Sequence, residues 1–167
     1  MKRLIIGSLF AVCVFTACDQ KKENTTPEND GYVLNKSENI EYAKKTIISC
    51  AKGDLDTYKS LYADTAIFYN NSSKETLAQN IDLFKVIKAK GIEIKLDTFY
   101  NAFETVDKVA DSENGAKNFI HIYCKLTFTK GDKKVEIPFY QANAIKDGKI
   151  VREYDYYDAS ELNELMK

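Results

Sequence analysis

The chain has 167 residues, with 24 Lys and Arg against 25 Asp and Glu and a formal charge of −1. So mild and mixed a balance offers no basic patch for nucleic acid or for an anionic lipid surface. With one His and no Cys/His ligand spacing, a structural metal site is not expected, and no cofactor-binding motif is present.

The first residues read as a targeting signal. Lys2 and Arg3 form a short positive region, Leu4 to Phe15 is an apolar run, and Thr16-Ala17-Cys18 places small residues before a cysteine. The run falls short of the ~20 apolar residues a membrane-spanning helix needs. Phe15-Thr16-Ala17-Cys18 resembles the bacterial lipobox, although the third position before the cysteine is aromatic rather than aliphatic. The resemblance implies cleavage before Cys18, acylation of that residue, and a lipid-anchored protein of the cell envelope, facing the periplasm or at the outer membrane. An ordinary signal peptide cut near Ala17 is the alternative. Loss of residues 1–17 takes away Lys2 and Arg3, leaving 22 basic against 25 acidic residues, a charge of −3. Attachment to a membrane must therefore come from the lipid. Residues 18–37 are polar and charged, and are expected to form a tether that cannot bury enough apolar area to offset its ordering entropy. Tyr32, Val33 and Leu34 are the part of it able to dock on a domain.

Residues 38–167 have the size of one domain. Ile40, Ala43, Ile47, Ile48 and Ala51 mark the apolar face of a first helix, started by Ser37 or Asn39 and ended by Gly53. Asp54 is placed to cap a second, shorter helix carrying Leu55, Tyr58, Leu61 and Tyr62. A brief strand follows at Ala66–Tyr69, broken by Asn70 and Asn71. Ser72-x-x-Glu75 has capping-box spacing and is expected to open a third helix with Leu77, Ile81, Phe84 and Ile87 inward, stopped by Gly91.

From Ile92 the apolar period shifts from about 3.6 to 2. Four long strands are expected: Ile92 to about Thr105, Phe119 to Thr129, Val135 to Ile145, and Ile150 to Tyr157. Lys130-Gly131-Asp132 and Asp147-Gly148 supply the hairpin turns. Ala159–Met166 closes the chain as a helix capped by Asp158. Helices first and hairpin-linked strands after argue an α+β fold, with helices covering one face of a curved antiparallel sheet and a hollow at its open end. Cys50 and Cys124 lie on apolar faces, as two buried thiols or as a disulfide.

This order of elements resembles the NTF2-like, or SnoaL-like, superfamily. The resemblance is carried by Leu61-Tyr62-Ala63-Asp64-Thr65-Ala66-Ile67-Phe68-Tyr69, by Ser73-Lys74-Glu75-Thr76-Leu77, and by the ending Asp147 to Asp158. It implies a cone-shaped sheet around the helices, a deep pocket and frequent dimers, which here would use the convex sheet face. It does not imply one activity, because the superfamily holds isomerases, cyclases, hydrolases and non-enzymes. Asp155 resembles in position an acid of the superfamily's epoxide hydrolases, and Asn70 their water-positioning asparagine. Their arginine and second aspartate have no match in Phe119-Ile120-His121-Ile122-Tyr123.

Among aromatic neighbours, Asp155 is the candidate general acid or base. The alternative is a structural partner for Arg152, Lys149 or a tyrosine hydroxyl. His121 is a second candidate, if it reaches Asp155 across the sheet. Its phase opposes that of Ile120, Ile122 and Cys124, which favours the convex face. Tyr69, Asn70, Tyr140, Asn143 and Tyr157 are the expected ligand-contacting residues, since tyrosine offers an apolar body with a polar tip. Gln141 and Asn143 share the phase of Ile137 and Phe139, so they are polar groups on an apolar stripe. The expected function is binding of a small apolar or amphipathic ligand or a protein partner. The alternative is an isomerase or hydratase/hydrolase using Asp155.

Overall fold

The computed structural model describes residues 31–167, so residues 1–17, expected to be a signal, and Cys18 lie outside the described residues. Within them the order is β1 (Tyr32–Leu34), α1 (Glu38–Lys52), α2 (Leu55–Ser60), β2 (Tyr62–Asn70), β3 (Ser73–Thr76), α3 (Leu77–Ala89), β4 (Glu93–Val106), β5 (Asn118–Lys130), β6 (Lys133–Lys146), β7 (Lys149–Tyr156) and α4 (Ser160–Met166). The strands form one curved, unclosed sheet in the order β1-β4-β5-β6-β7-β2-β3. Every pairing is antiparallel except β2 with β7.

The four long strands β4–β7 correspond to the expected alternating runs. Residues Asp147 and Gly148 have φ of 52° and 74°, both positive as a two-residue primed turn requires. In β5 burial alternates from Ile120 to Leu126, with Ile120, Ile122 and Cys124 fully buried. Helix α1 starts at Ser37, whose hydroxyl accepts from Ile40 N, and ends on Gly53 in the left-handed region. Its Ile40, Ala43 and Ile47 lie in the core with Tyr58 of α2, Phe68 of β2 and Ile87 of α3.

Several boundaries differ from expectation. The short strand is longer, running from Tyr62 to Asn70, so α2 ends at Ser60 and Tyr62 belongs to the sheet. Residues 73–76 are not the first turn of α3. Asn71, at φ 52°, turns the chain so that β3 pairs back on β2. The capping box is Thr76 with Gln79, the same spacing four residues later. Asp158 is not the N-cap of α4, though its carboxylate accepts from Ser160 N at 2.9 Å. The stretch read as tether ends in β1, which pairs Tyr32, Val33 and Leu34 with Val106, Thr105 and Glu104. Cys50 and Cys124 are free thiols.

Candidate functional site

The register of the sheet decides which side chains can meet. On β6 and β7, Gln141 lies opposite Asp155 and Asn143 opposite Glu153, so all four point to the concave face. The parallel pairing of β2 brings Phe68 beside Glu153 and Asn70 beside Asp155. Tyr157 packs its ring on Phe139 at 5.4 Å, on that same side. The helices close over this row.

Two neighbouring hollows lie between helices and sheet. The outer one, of about 330 Å³, opens between the C-terminal ends of α1 and α3 and the start of β4, with Leu55, Phe84, Ile87, Ile92 and Ile94 as its apolar wall. Lys52, Lys88 and Glu93 stand at its mouth. The inner one, of about 60 Å³, shares Cys50, Phe84 and Ile94 with the outer and ends on Thr46, Gln141, Glu153 and Asp155. Tyr58, Phe84, Phe128 and Phe139 are its aromatic walls.

The floor is a network of buried polar groups. Gln141 Nε2 donates to Asp155 Oδ1 at 3.3 Å, while Gln141 Oε1 lies 3.0 Å from the Thr46 hydroxyl and accepts from Asn143 Nδ2 at 2.8 Å. The Tyr62 hydroxyl donates to Glu153 Oε2 at 2.5 Å, and Tyr58, its ring tilted against Tyr62 at 4.9 Å, donates to Asn80 Oδ1 at 2.8 Å. Glu153 is 2% exposed and Asp155 6%. Burial drives Glu153 well above the carboxylate range, and the neighbouring Asp155 charge adds to it; Tyr62 opposes the rise. Burial likewise pushes Asp155 up to about 7, against hydrogen bonds from Glu153 and Gln141 that favour its charged form. Near neutral pH the two carboxyls therefore hold at least one proton between them.

The sheet divides the sequence candidates between its faces. Asp155, Asn70, Asn143 and Tyr157 lie on the concave side. Tyr69, Tyr140 and His121 lie on the convex side, because each is one residue out of phase with a concave neighbour. Tyr69 stacks on Tyr154 at 5.1 Å with Arg152 over its ring, far from the hollow's lining. His121 Nδ1 lies 2.7 Å from the Tyr140 hydroxyl, its Nε2 lies 3.2 Å from Thr105 Oγ1, and its ring stacks on Phe103 at 4.8 Å. Half-burial lowers its pKa. The sheet thus stands between His121 and Asp155, and no dyad forms. Glu153 went unnoticed in the sequence, although it lies two residues before Asp155 in the same strand phase. Tyr62 was hidden by its assignment to a helix.

No protein-family model matches the chain. No curated protein matches it either. Solved structures do. An epoxide hydrolase of M. tuberculosis, of the LEH-like kind, superposes with a TM-score of 0.53 at 18% identity, covering 76% of this chain and 87% of that one. Bal32a, from a soil-derived mobile gene cassette, gives 0.54 at 14% identity, covering 77% and 96%. A Pseudomonas putida protein assigned as a polyketide cyclase gives 0.54 at 13%, covering 75% and 96%. At these identities the likeness establishes the fold alone.

Proposed function

Starting from the NTF2-like (SnoaL-like) fold of this domain, we propose that it binds a small, largely apolar ligand inside the cone, and that Cys18 carries a lipid anchoring the protein to the cell envelope. One observation carries the binding reading: a hollow of about 330 Å³ with apolar walls adjoins a smaller one lined by convergent buried polar groups. That combination of an apolar wall and a few placed polar groups is the usual form of a ligand site. The site can be tested with a neutral fluorescent apolar probe. Cys50→Trp, which adds bulk at a residue lining both hollows, abolishes its binding, while Tyr123→Ala on the convex face leaves it intact. Ile94→Phe, a smaller filling, provides the check if Cys50→Trp unfolds. Equal binding by wild type and both filled variants would remove the site from the cone. Mass spectrometry of the membrane-extracted protein tests the anchor. A mature N-terminus at Cys18 bearing acyl chains is expected, and an unmodified N-terminus would refute it.

A second reading is favoured by Asp155. A carboxyl held near 7 beside Glu153 has the proton affinity of a general acid or base working at neutral pH. In this reading Asp155 takes a proton from a bound substrate while Glu153 and Gln141 hold it in place. Asp155→Asn separates the two readings. It leaves the affinity for a neutral apolar probe near wild type if the domain only binds, and abolishes turnover if it catalyses.

A further inference from the structure

The carboxyl pair at the end of the hollow lacks something that buried acids in folded proteins normally have, a basic partner. Among the described residues, no lysine, arginine or histidine lines the inner hollow. The groups that act on the two acids are Tyr62, Gln141, each other, and a third carboxylate, Glu75 of β3. Every one is neutral or acidic. The thiol of Cys50 and the phenols of Tyr58 and Tyr157, on α1, on α2 and just past β7, are pushed up by burial first and by nearby carboxylate charge second.

A second, independent sign comes from unmatched atoms. Among the described residues, Asn143 is fully buried opposite Glu153, and its Oδ1 has no hydrogen-bond donor; the same holds for the buried Glu75 Oε2. Neither residue lines the hollow, but both leave acceptors rather than donors unmatched around the carboxyl pair. In the lining itself the carboxyl oxygens of Glu153 and Asp155 make the polar end rich in acceptors. Around it stand four aromatic rings, Tyr58, Phe84, Phe128 and Phe139, whose faces attract cations. The mouth repels none of this chemistry strongly. Lys52 and Lys88 are there set against Glu93 and against the negative C-terminal ends of α1 and α3.

We propose that the ligand of this hollow is an organic cation, an alkyl or aryl amine, seated with its ammonium against Glu153 and Asp155 and its hydrocarbon body running outward past Cys50, Phe84 and Ile94. The inference rests on the reading of the cone as a binding site and names the class of molecule it takes. The inner hollow admits a group no larger than an ammonium with its first carbons. The outer one takes the chain. An ammonium brings donors to the carboxyl oxygens that line the hollow and supplies the positive charge that the pair lacks. A carboxylate ligand meets an acidic end. An alcohol brings no positive charge to the pair. As the amine enters already protonated, the proton held between the two carboxyls leaves to solvent, so binding releases up to one proton and tightens as pH rises through the range in which Asp155 titrates.

The experiment compares three probes of equal length, 1-hexylamine, 1-hexanol and hexanoate, on the full-length chain in detergent. Calorimetry in two buffers of different ionisation heat reads both affinity and proton release. Hexylamine is expected to bind at least about ten-fold tighter than hexanol, with hexanoate weakest. Its affinity rises from about pH 6 to about pH 8, with proton release at the lower end. The double variant Glu153→Gln, Asp155→Asn erases the preference for hexylamine over hexanol, and single Asp155→Asn reduces it, which covers the case of a double variant that fails to fold. Hexanol binding as well as or better than hexylamine would overturn the cation assignment while leaving the binding site standing. Absence of binding by all three would overturn both.

Discussion

Asp155→Asn tests the electrostatics of the site without reference to any ligand. The folded protein keeps this carboxyl protonated to about pH 7, whereas in the unfolded chain it ionises near its ordinary 3.8. Between those values the folded state binds the extra proton, so stability is greatest below pH 4 and declines as pH rises through 7. At 1.36 kcal/mol per pH interval, the loss attributable to Asp155 reaches about 4 kcal/mol, an upper bound since the site can relax. Asparagine keeps an oxygen to accept from Gln141 and has no charge to bury. Urea unfolding at a series of pH values is the assay. At pH 8 the variant is expected to exceed wild type by roughly 2–4 kcal/mol, and near pH 4 to lie within about 1 kcal/mol of it. A variant that is less stable than wild type at pH 8 would refute the reasoning, since it would mean that Asp155 is ionised and favourably paired when folded.

Other perturbations follow from the same contacts. Tyr62→Phe removes the hydroxyl that donates to Glu153 Oε2 and should cost about 1–3 kcal/mol by urea unfolding, more at pH 8 than at pH 5 because Glu153 then resists ionisation further. Thr76→Ala deletes the capping box of α3 and should cost about 1 kcal/mol, whereas Ser72→Ala, at the spacing first suspected, should cost almost nothing. Phe68→Ala empties a fully buried position between Tyr62 and the sheet, and should lower stability by about 3–5 kcal/mol. Burial pushes Cys124 up to about 12, and pushes Cys50 up as well, so a thiol reagent should label neither promptly in the native protein and both at once in denaturant.

The fold was legible where side-chain period and turn chemistry agreed. Strands β4 to β7 follow the alternating runs of the sequence, despite bulges in β4, and the turns at Lys130-Gly131-Asp132 and Asp147-Gly148 join them as hairpins, so the phase of β5 alone places His121 away from Ile120 and Ile122. The elements read poorly were short and depended on distant partners. Tyr32–Leu34 becomes a strand only because the edge of β4 is free to pair with it. Ser73–Thr76 carries a helix-start pattern, yet the left-handed Asn71 folds it back on β2 first. The site was half visible for the same reason. Asp155 and Asn143 follow from strand phase, but Thr46 reaches Gln141 from α1 across 95 residues, and Tyr62 reaches Glu153 across 91. No local pattern encodes those meetings. Tyr69 and Tyr140 were chosen for their chemistry, and their parity set them on the other face.

The place of binding is the claim on which the rest depends. Backbone amide shifts of the isotopically labelled domain, followed during titration with 1-hexanol, test it directly. The shifts are expected to concentrate at Cys50, Phe84, Ile94 and Gln141, which line the hollows. Movement centred instead on Tyr123, Tyr140 and Tyr156 of the convex face, with the cone residues still, would contradict the account.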